Sequence, residues 1–241
     1  MLFRILLLTL SVLVPVTAFE LPASSSQCLV GVSNGWDDSH VTLRFYEKRD
    51  GTWQATHAAW QGRLGKNGLV WGKGLHPVPA AAVRKKEGDN RSPVGVFTIG
   101  GAWGYEPNIK KCAALPYHQV TARDLWVEDP ASPQYNQHVL LDHPPTTAWE
   151  KKQQMKQADD AHSLKLFIAH NAPPHATPGA GSSIFFHIWR REGAAPTAGC
   201  TTMPKADLQW LISQVDPAKH PLYVLLPKAE YEKQRTPWKL P

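Results

Sequence analysis

The chain has 241 residues, 42% hydrophobic and 19% charged, with 26 Lys and Arg against 20 Asp and Glu for a formal charge of +6. That length suits one domain, or one domain with long insertions, and no internal repeat, heptad pattern or low-complexity block divides it. The basic residues are scattered in short groups such as Arg84-Lys85-Lys86 and Lys110-Lys111. No nucleic-acid motif accompanies them, so a nucleic-acid partner is not expected, although the balance suits an acidic substrate.

The first residues read as an export signal: Arg4 supplies the positive start, Ile5 to Val16 the apolar stretch, and Val16-Thr17-Ala18 a small-residue cleavage site. The apolar stretch falls short of the roughly 20 residues a membrane-spanning helix needs. Removal after Ala18 and a periplasmic or otherwise exported product without a stable membrane anchor are therefore expected. Cys28 follows the polar Ser25-Ser26-Gln27 well past the apolar stretch, which argues against a lipid anchor. Residues 19–40 read as a lead-in to a catalytic domain over 41–227, with 228–241 as a C-terminal tail.

Val41, Leu43 and Phe45 alternate with Thr42, Arg44 and Tyr46, the period of a half-buried strand. Asp50-Gly51 then marks a turn into a second strand over Trp53 to His57. Further strands are expected at Leu69 to Trp71, Gly95 to Ile99, Leu125 to Glu128, Val139 to Asp142, Lys165 to His170, Ile184 to Trp189 and Leu222 to Leu226. They are short, rich in β-branched or aromatic residues and separated by Pro, Gly, Asn and Asp. Thr147 to Gln157 is polar and lysine-rich and predicts an exposed helix. Pro204 to Val215, with Leu208, Leu211, Ile212 and Val215 on one face, predicts a second. The expected fold class is mainly β with a few short helices.

Two residues carry the chemistry. His187 lies in the apolar run Ile184-Phe185-Phe186-His187-Ile188-Trp189, and Cys200 follows Gly199 in the loop Pro196-Thr197-Ala198-Gly199-Cys200-Thr201-Thr202-Met203. Taken singly, such a histidine is more often a hydrogen-bonded core residue, and a free cysteine a buried small hydrophobe. Together, a loop thiol that folds back on a strand imidazole is the pair that thiol acyl transfer needs. The helix expected from Pro204 would point its first N–H groups toward this loop. Three cysteines leave one unpaired in an oxidising compartment; a Cys28–Cys112 disulfide would keep Cys200 free, whereas either other pairing would remove its chemistry.

These motifs resemble the L,D-transpeptidase catalytic domain family, also called YkuD-like, which acts on bacterial peptidoglycan. The family's histidine followed by Ser/Thr-x-Gly-Cys is matched by His187 and Thr197-Ala198-Gly199-Cys200. Upstream, Lys86-Glu87-Gly88-Asp89-Asn90-Arg91-Ser92-Pro93-Val94-Gly95-Val96-Phe97 resembles a Gly/Asp-rich loop leading to a Pro-x-Gly-x-Phe strand. Asp129 to Asn136 and His170-Asn171 resemble elements of one divergent subgroup. Three positions depart from the usual pattern: Ile188 replaces a glycine after the histidine, Ala198 a histidine before Gly-Cys, and Thr202 an arginine two residues after the cysteine.

The resemblance implies an L,D-transpeptidase-like β-sandwich and a peptidoglycan stem tetrapeptide as donor, with Cys200 as nucleophile and His187 as general base and acid. It implies Gly199 in the oxyanion loop and Thr197 as an orienting residue. Lys86, Asp89, Arg91, His170, Arg190 and Thr202 are candidate substrate contacts, Arg190 or Arg191 standing in for the missing arginine. An amine acceptor from another stem or a wall-attached protein gives transpeptidation; water gives L,D-carboxypeptidase activity. No cofactor or metal is expected: His170 to His175 and Asp142-His143 are not ligand motifs, and no His-Glu-x-x-His occurs. A non-catalytic wall-binding protein that uses some of the 10 tryptophans for sugar stacking is the third reading.

Overall fold

The computed structural model describes residues 19–241; the expected export signal lies outside them. The first six strands are β1 (Gln27–Ser33), β2 (His40–Arg49), β3 (Thr52–Ala55), β4 (Trp60–Arg63), β5 (Leu69–Trp71) and the long β6 (Ser92–Gly104). After β7 (Tyr117–Gln119) come β8 (Asp124–Trp126), β9 (His138–Leu140), helix α1 (Ala148–Lys152) and β10 (Leu164–Ile168). The last part holds β11 (Phe185–Ile188), β12 (Thr201–Met203), α2 (Lys205–Gln214), β13 (Leu222–Pro227) and α3 (Lys228–Arg235).

One sheet runs β1-β13-β6-β10-β11-β12-β4-β2-β3, and β1 also pairs with β2, so its first eight strands form a closed circuit. The result is the mainly β, sandwich-like fold expected. The β2 alternation holds: Val41, Leu43 and Phe45 are buried and Thr42 and Arg44 exposed. Its hairpin to β3 turns on Asp50 and Gly51, both at positive φ, which suits the right-handed twist of the flanking strands. The first half of β6 is buried throughout because β13 and β10 flank it and β5 pairs with its start. Phe97, Leu166, Phe186 and Tyr223 fill the main core, closed by Leu208, Leu211 and Ile212 of α2.

Gly95 explains the Pro-x-Gly-x-Phe pattern. Its φ is +133°, and a Cβ there would lie 1.7 Å from the His76 ring, whose Nδ1 accepts from the Val96 N–H at 2.9 Å. Only glycine lets that ring cover the strand.

The segments read as lead-in and tail belong to the same core. Strand β1 pairs with both β2 and β13, and Leu21, Trp238 and Leu240 pack into the main cluster. The expected helix over Thr147 to Gln157 is confined to α1, started by a Thr147/Glu150 capping box. It stops because the hairpin claims the next backbone groups: the Trp126 N–H donates to the Gln153 carbonyl and the Met155 N–H to the Asp124 carbonyl. The second helix forms as expected, over Lys205–Gln214 after Pro204, but not directly beside Cys200. Strand β12 intervenes, so the α2 N-terminus is not the group beside Cys200. Cys28, Cys112 and Cys200 are all free thiols.

Candidate active site

Alternation along β11 sends Phe186 and Ile188 into the main core and Phe185 and His187 to the other face, where Phe185 joins Trp126, Met155 and Val120 in a second cluster. Strand β12 lies parallel to it with Phe186 opposite Thr201 and His187 opposite Thr202. One step earlier, Cys200 therefore sits beside Phe185, diagonal to His187 on the same face. Cys200 and His187 line a single cleft of about 270 Å³.

The cysteine loop is clamped at several points. The Gly199 N–H donates to Thr197 Oγ1 at 3.0 Å, and that hydroxyl donates to the Cys200 carbonyl at 2.7 Å. Ser92, at the start of β6, donates from Oγ to the Gly199 carbonyl at 2.8 Å, tying the upstream motif to the cysteine loop. Gly199 has φ +153°, and a Cβ there would crowd the Arg91 carbonyl and Ile184, both at 3.1 Å. Thr197 thus orients Cys200 rather than His187, and the Gly199 N–H is already engaged.

The Phe185 N–H donates to Cys200 Sγ, and Sγ donates to the Ser183 carbonyl, both at 3.4 Å. Loss of solvent pushes the half-buried thiol up to about 11, with the Phe185 N–H pulling the other way. Burial drives His187 down to about 4, against the pull of its bond to the Ile188 carbonyl. Resting thiol and imidazole are both neutral at pH 7. The His187 Nδ1 lies 2.9 Å from the Ile188 carbonyl, which only accepts, so it donates there, and the Ala161 carbonyl also bonds the ring. His162 stacks on the His187 ring at 4.4 Å between centroids, itself driven down to about 2 by burial and the neighbouring positive charges.

Lys165 supplies a buried cation. It sits opposite His187 across the β10–β11 pair, donates to the Met155 carbonyl at 2.9 Å and lies 5.7 Å from the Phe185 ring centroid. Burial lowers its ammonium to about 8, with Cys200 and Glu128 pulling it back up.

Thr197, Gly199 and Arg190 also line the cleft, Arg190 paired with Asp159 at 2.6 Å. Lys86, Asp89, Arg91, His170 and Thr202 do not. Lys86 is exposed, and its neighbour Lys85 faces the cleft instead, ion-paired with Asp89. Asp89 also accepts from the Lys86 and Arg91 N–H groups, each at 2.9 Å, so it holds the loop together. Arg91 turns away to Asp37 and the Leu69 carbonyl. His170 is wholly buried, accepting from the Lys73 N–H at 3.1 Å and donating to the Ala180 carbonyl at 3.0 Å, a structural tie. Thr202 is buried within the sheet opposite Arg63 and, though on the same face as His187, does not line the cleft.

Sequence reasoning missed Lys85, Glu87, Glu128, His162 and Lys165. Glu128, exposed at the rim, ends the apolar run Leu125-Trp126-Val127, a break in pattern that could have marked it. The two subgroup segments meet behind the cleft: the Asn136 amide donates to the His170 and Asn171 carbonyls and its oxygen accepts from the Ser183 N–H. Ser183 in turn carries the Cys200 contact.

A thiol and a neutral imidazole sharing one cleft of a mainly β domain have the makings of a cysteine acyl-transfer centre. The L,D-transpeptidase catalytic domain, YkuD, matches residues 38–224, and the chain belongs to that family of peptidoglycan enzymes. No curated protein matches the chain. Two crystal structures of the helical cell shape determining protein Pgp2 from Campylobacter jejuni, the second a point mutant, are similar at 13% identity with TM-scores of 0.39 and 0.38. Each covers 88% of this chain, which spans about half of theirs, 51% and 50%. Among the described residues no helix is long and apolar enough to cross a membrane.

Proposed function

We propose that the protein is an exported, periplasmic L,D-transpeptidase that takes peptidoglycan stem tetrapeptides as donors through a Cys200 thioester. The observation that carries this reading is the register of β11 and β12, which brings Cys200 and His187 to one face and one cleft. Cys200 Sγ attacks the carbonyl of the third stem residue while His187 Nε2 takes the thiol proton. The Cys200 N–H receives the tetrahedral oxyanion, since the Gly199 N–H is held by Thr197. Lys165 opposes the negative charge that develops nearby. Collapse breaks the peptide bond, and His187 returns the proton to the departing D-alanine amine.

An amine acceptor then attacks the thioester and regenerates the thiol. Glu87 and Glu128 on the cleft wall favour an ammonium-bearing partner over water, which puts transpeptidation ahead of L,D-carboxypeptidase activity. Glu87 is held by Tyr135 and by Ser182, the latter at 2.8 Å, so its charge is fixed in place. Incubation with disaccharide tetrapeptide, read by mass spectrometry beside a Cys200→Ala control, separates the outcomes. Cross-linked dimers support the reading, release of D-alanine without dimers supports hydrolysis, and turnover by the Cys200→Ala protein overturns the thioester.

A further inference from the structure

Across the short β8–β9 hairpin, strands β7, β8 and β9 bring His118, Asp124 and His138 together. One ligand atom from each lies within 4.8 Å of the others. Asp124 is wholly buried, and its Oδ2 is fixed from behind by the Thr121 N–H at 2.6 Å and hydroxyl at 2.7 Å. Its Oδ1 is thereby aimed at both imidazoles, 2.5 Å from His118 Nε2 and 2.7 Å from His138 Nε2. The two rings lie 4.7 Å apart between centroids, so two Nε2 atoms converge on a single carboxylate oxygen. The Asp124 Oδ1 can accept from both rings, and the same convergence of two imidazole nitrogens on a fixed carboxylate oxygen places three ligand atoms around one point that a cation could occupy.

We propose that His118, Asp124 and His138 bind a zinc ion, with the fourth position open to water. Two imidazoles and a carboxylate are a borderline-soft ligand set that suits zinc and disfavours magnesium or calcium. Bond lengths of about 2.0 to 2.2 Å set neighbouring ligand atoms in a tetrahedron about 3.3 Å apart, so each ring withdraws by well under about 1 Å to admit the ion. The second shell is already built, because Thr121 orients the carboxylate. The rings are 37% and 23% exposed, which leaves an entry path and room for the water. The ion would join β7 to the β8–β9 hairpin, and its ligands lie outside the cleft lined by Cys200 and His187.

The full chain and its Cys200→Ala variant, which removes the cleft thiol as a competing ligand, are titrated with zinc chloride by calorimetry and thermal unfolding. One equivalent is expected in both. The Tm should rise by about 5 °C or more at zinc 100 times the Kd, and magnesium chloride should give no such rise. The double variant His118→Gln/His138→Gln should lose both the equivalent and the shift. Zinc-induced movement of the His118 and His138 Hε1 resonances in the unmutated protein, with His187 unmoved, provides a second readout that needs no variant. Absence of a zinc equivalent, its retention by a folded double variant, or unmoved His118 and His138 resonances overturns the site.

Discussion

The neutral resting state of the cleft makes a quantitative prediction about Cys200. An upward displacement from 9.0 to about 11 lowers the thiolate population at neutral pH about 100-fold relative to an ordinary thiol. Iodoacetamide, which reads thiolate, should therefore label Cys200 about 100-fold more slowly than an unperturbed cysteine at pH 7. The labelling rate should climb about tenfold per pH unit through pH 10. Quantifying the Cys200 peptide by mass spectrometry separates it from the half-exposed Cys112. Lys165→Met removes a charge that favours the thiolate, so labelling should slow further, most clearly below about 8, where the ammonium is still protonated. A labelling rate that levels off below pH 8 would mean a preformed thiolate–imidazolium pair and would refute this account of the dyad.

Turnover should agree, its acid limb falling near the His187 value of about 4 rather than near 6.5. Thr197→Val keeps the shape of the side chain but removes two hydrogen bonds of the cysteine loop. At about 1 kcal/mol each, kcat should fall roughly 30-fold, and Thr197→Ser should restore most of it; steady-state kinetics with unchanged kcat in the valine variant would show that the clamp is idle. Gly95→Ala drives a methyl into the His76 ring and strains a positive φ. A loss of about 3 kcal/mol and a Tm drop of about 6 to 12 °C are expected in calorimetry, and a drop under about 2 °C would contradict the packing. Finally, burial holds His76, His170 and His187 at about 4, 3 and 4, so each is neutral in the fold yet charges near 6.5 when unfolded. Their contribution is complete above 6.5 and is lost as pH falls, at up to about 1.4 kcal/mol per pH unit each; a flat Tm from pH 6.5 to 4.5 would rule it out.

That Cys200 and His187 share one cleft was legible because both stand in local patterns: a Gly-Cys turn, and an apolar strand interrupted by one histidine. Lys165 and His162 were not: Lys165 meets His187 only through the pairing of β10 with β11, and His162 reaches the cleft from the short helical turn before β10. Choosing Lys86 over Lys85 was an error of parity, since adjacent side chains in an extended segment face opposite ways. His170 looked like a strand-end histidine near the site, yet both its nitrogens are engaged by backbone groups. Strand β1 was read as a lead-in because its role depends on partners at the far end of the chain.

That pairing has a consequence for the timing of folding. Cys28 lies opposite Leu222, and the same strand also meets β2, so β1, near one end of the described residues, closes the circuit against β13, near the other. Until β13 emerges, β1 can pair only on its β2 side, and contacts between such distant segments form slowly. A chain with this topology stays incomplete throughout its synthesis, the condition in which a polypeptide can be threaded across a membrane before it locks. Its ring of strands shuts only when β13 meets β1.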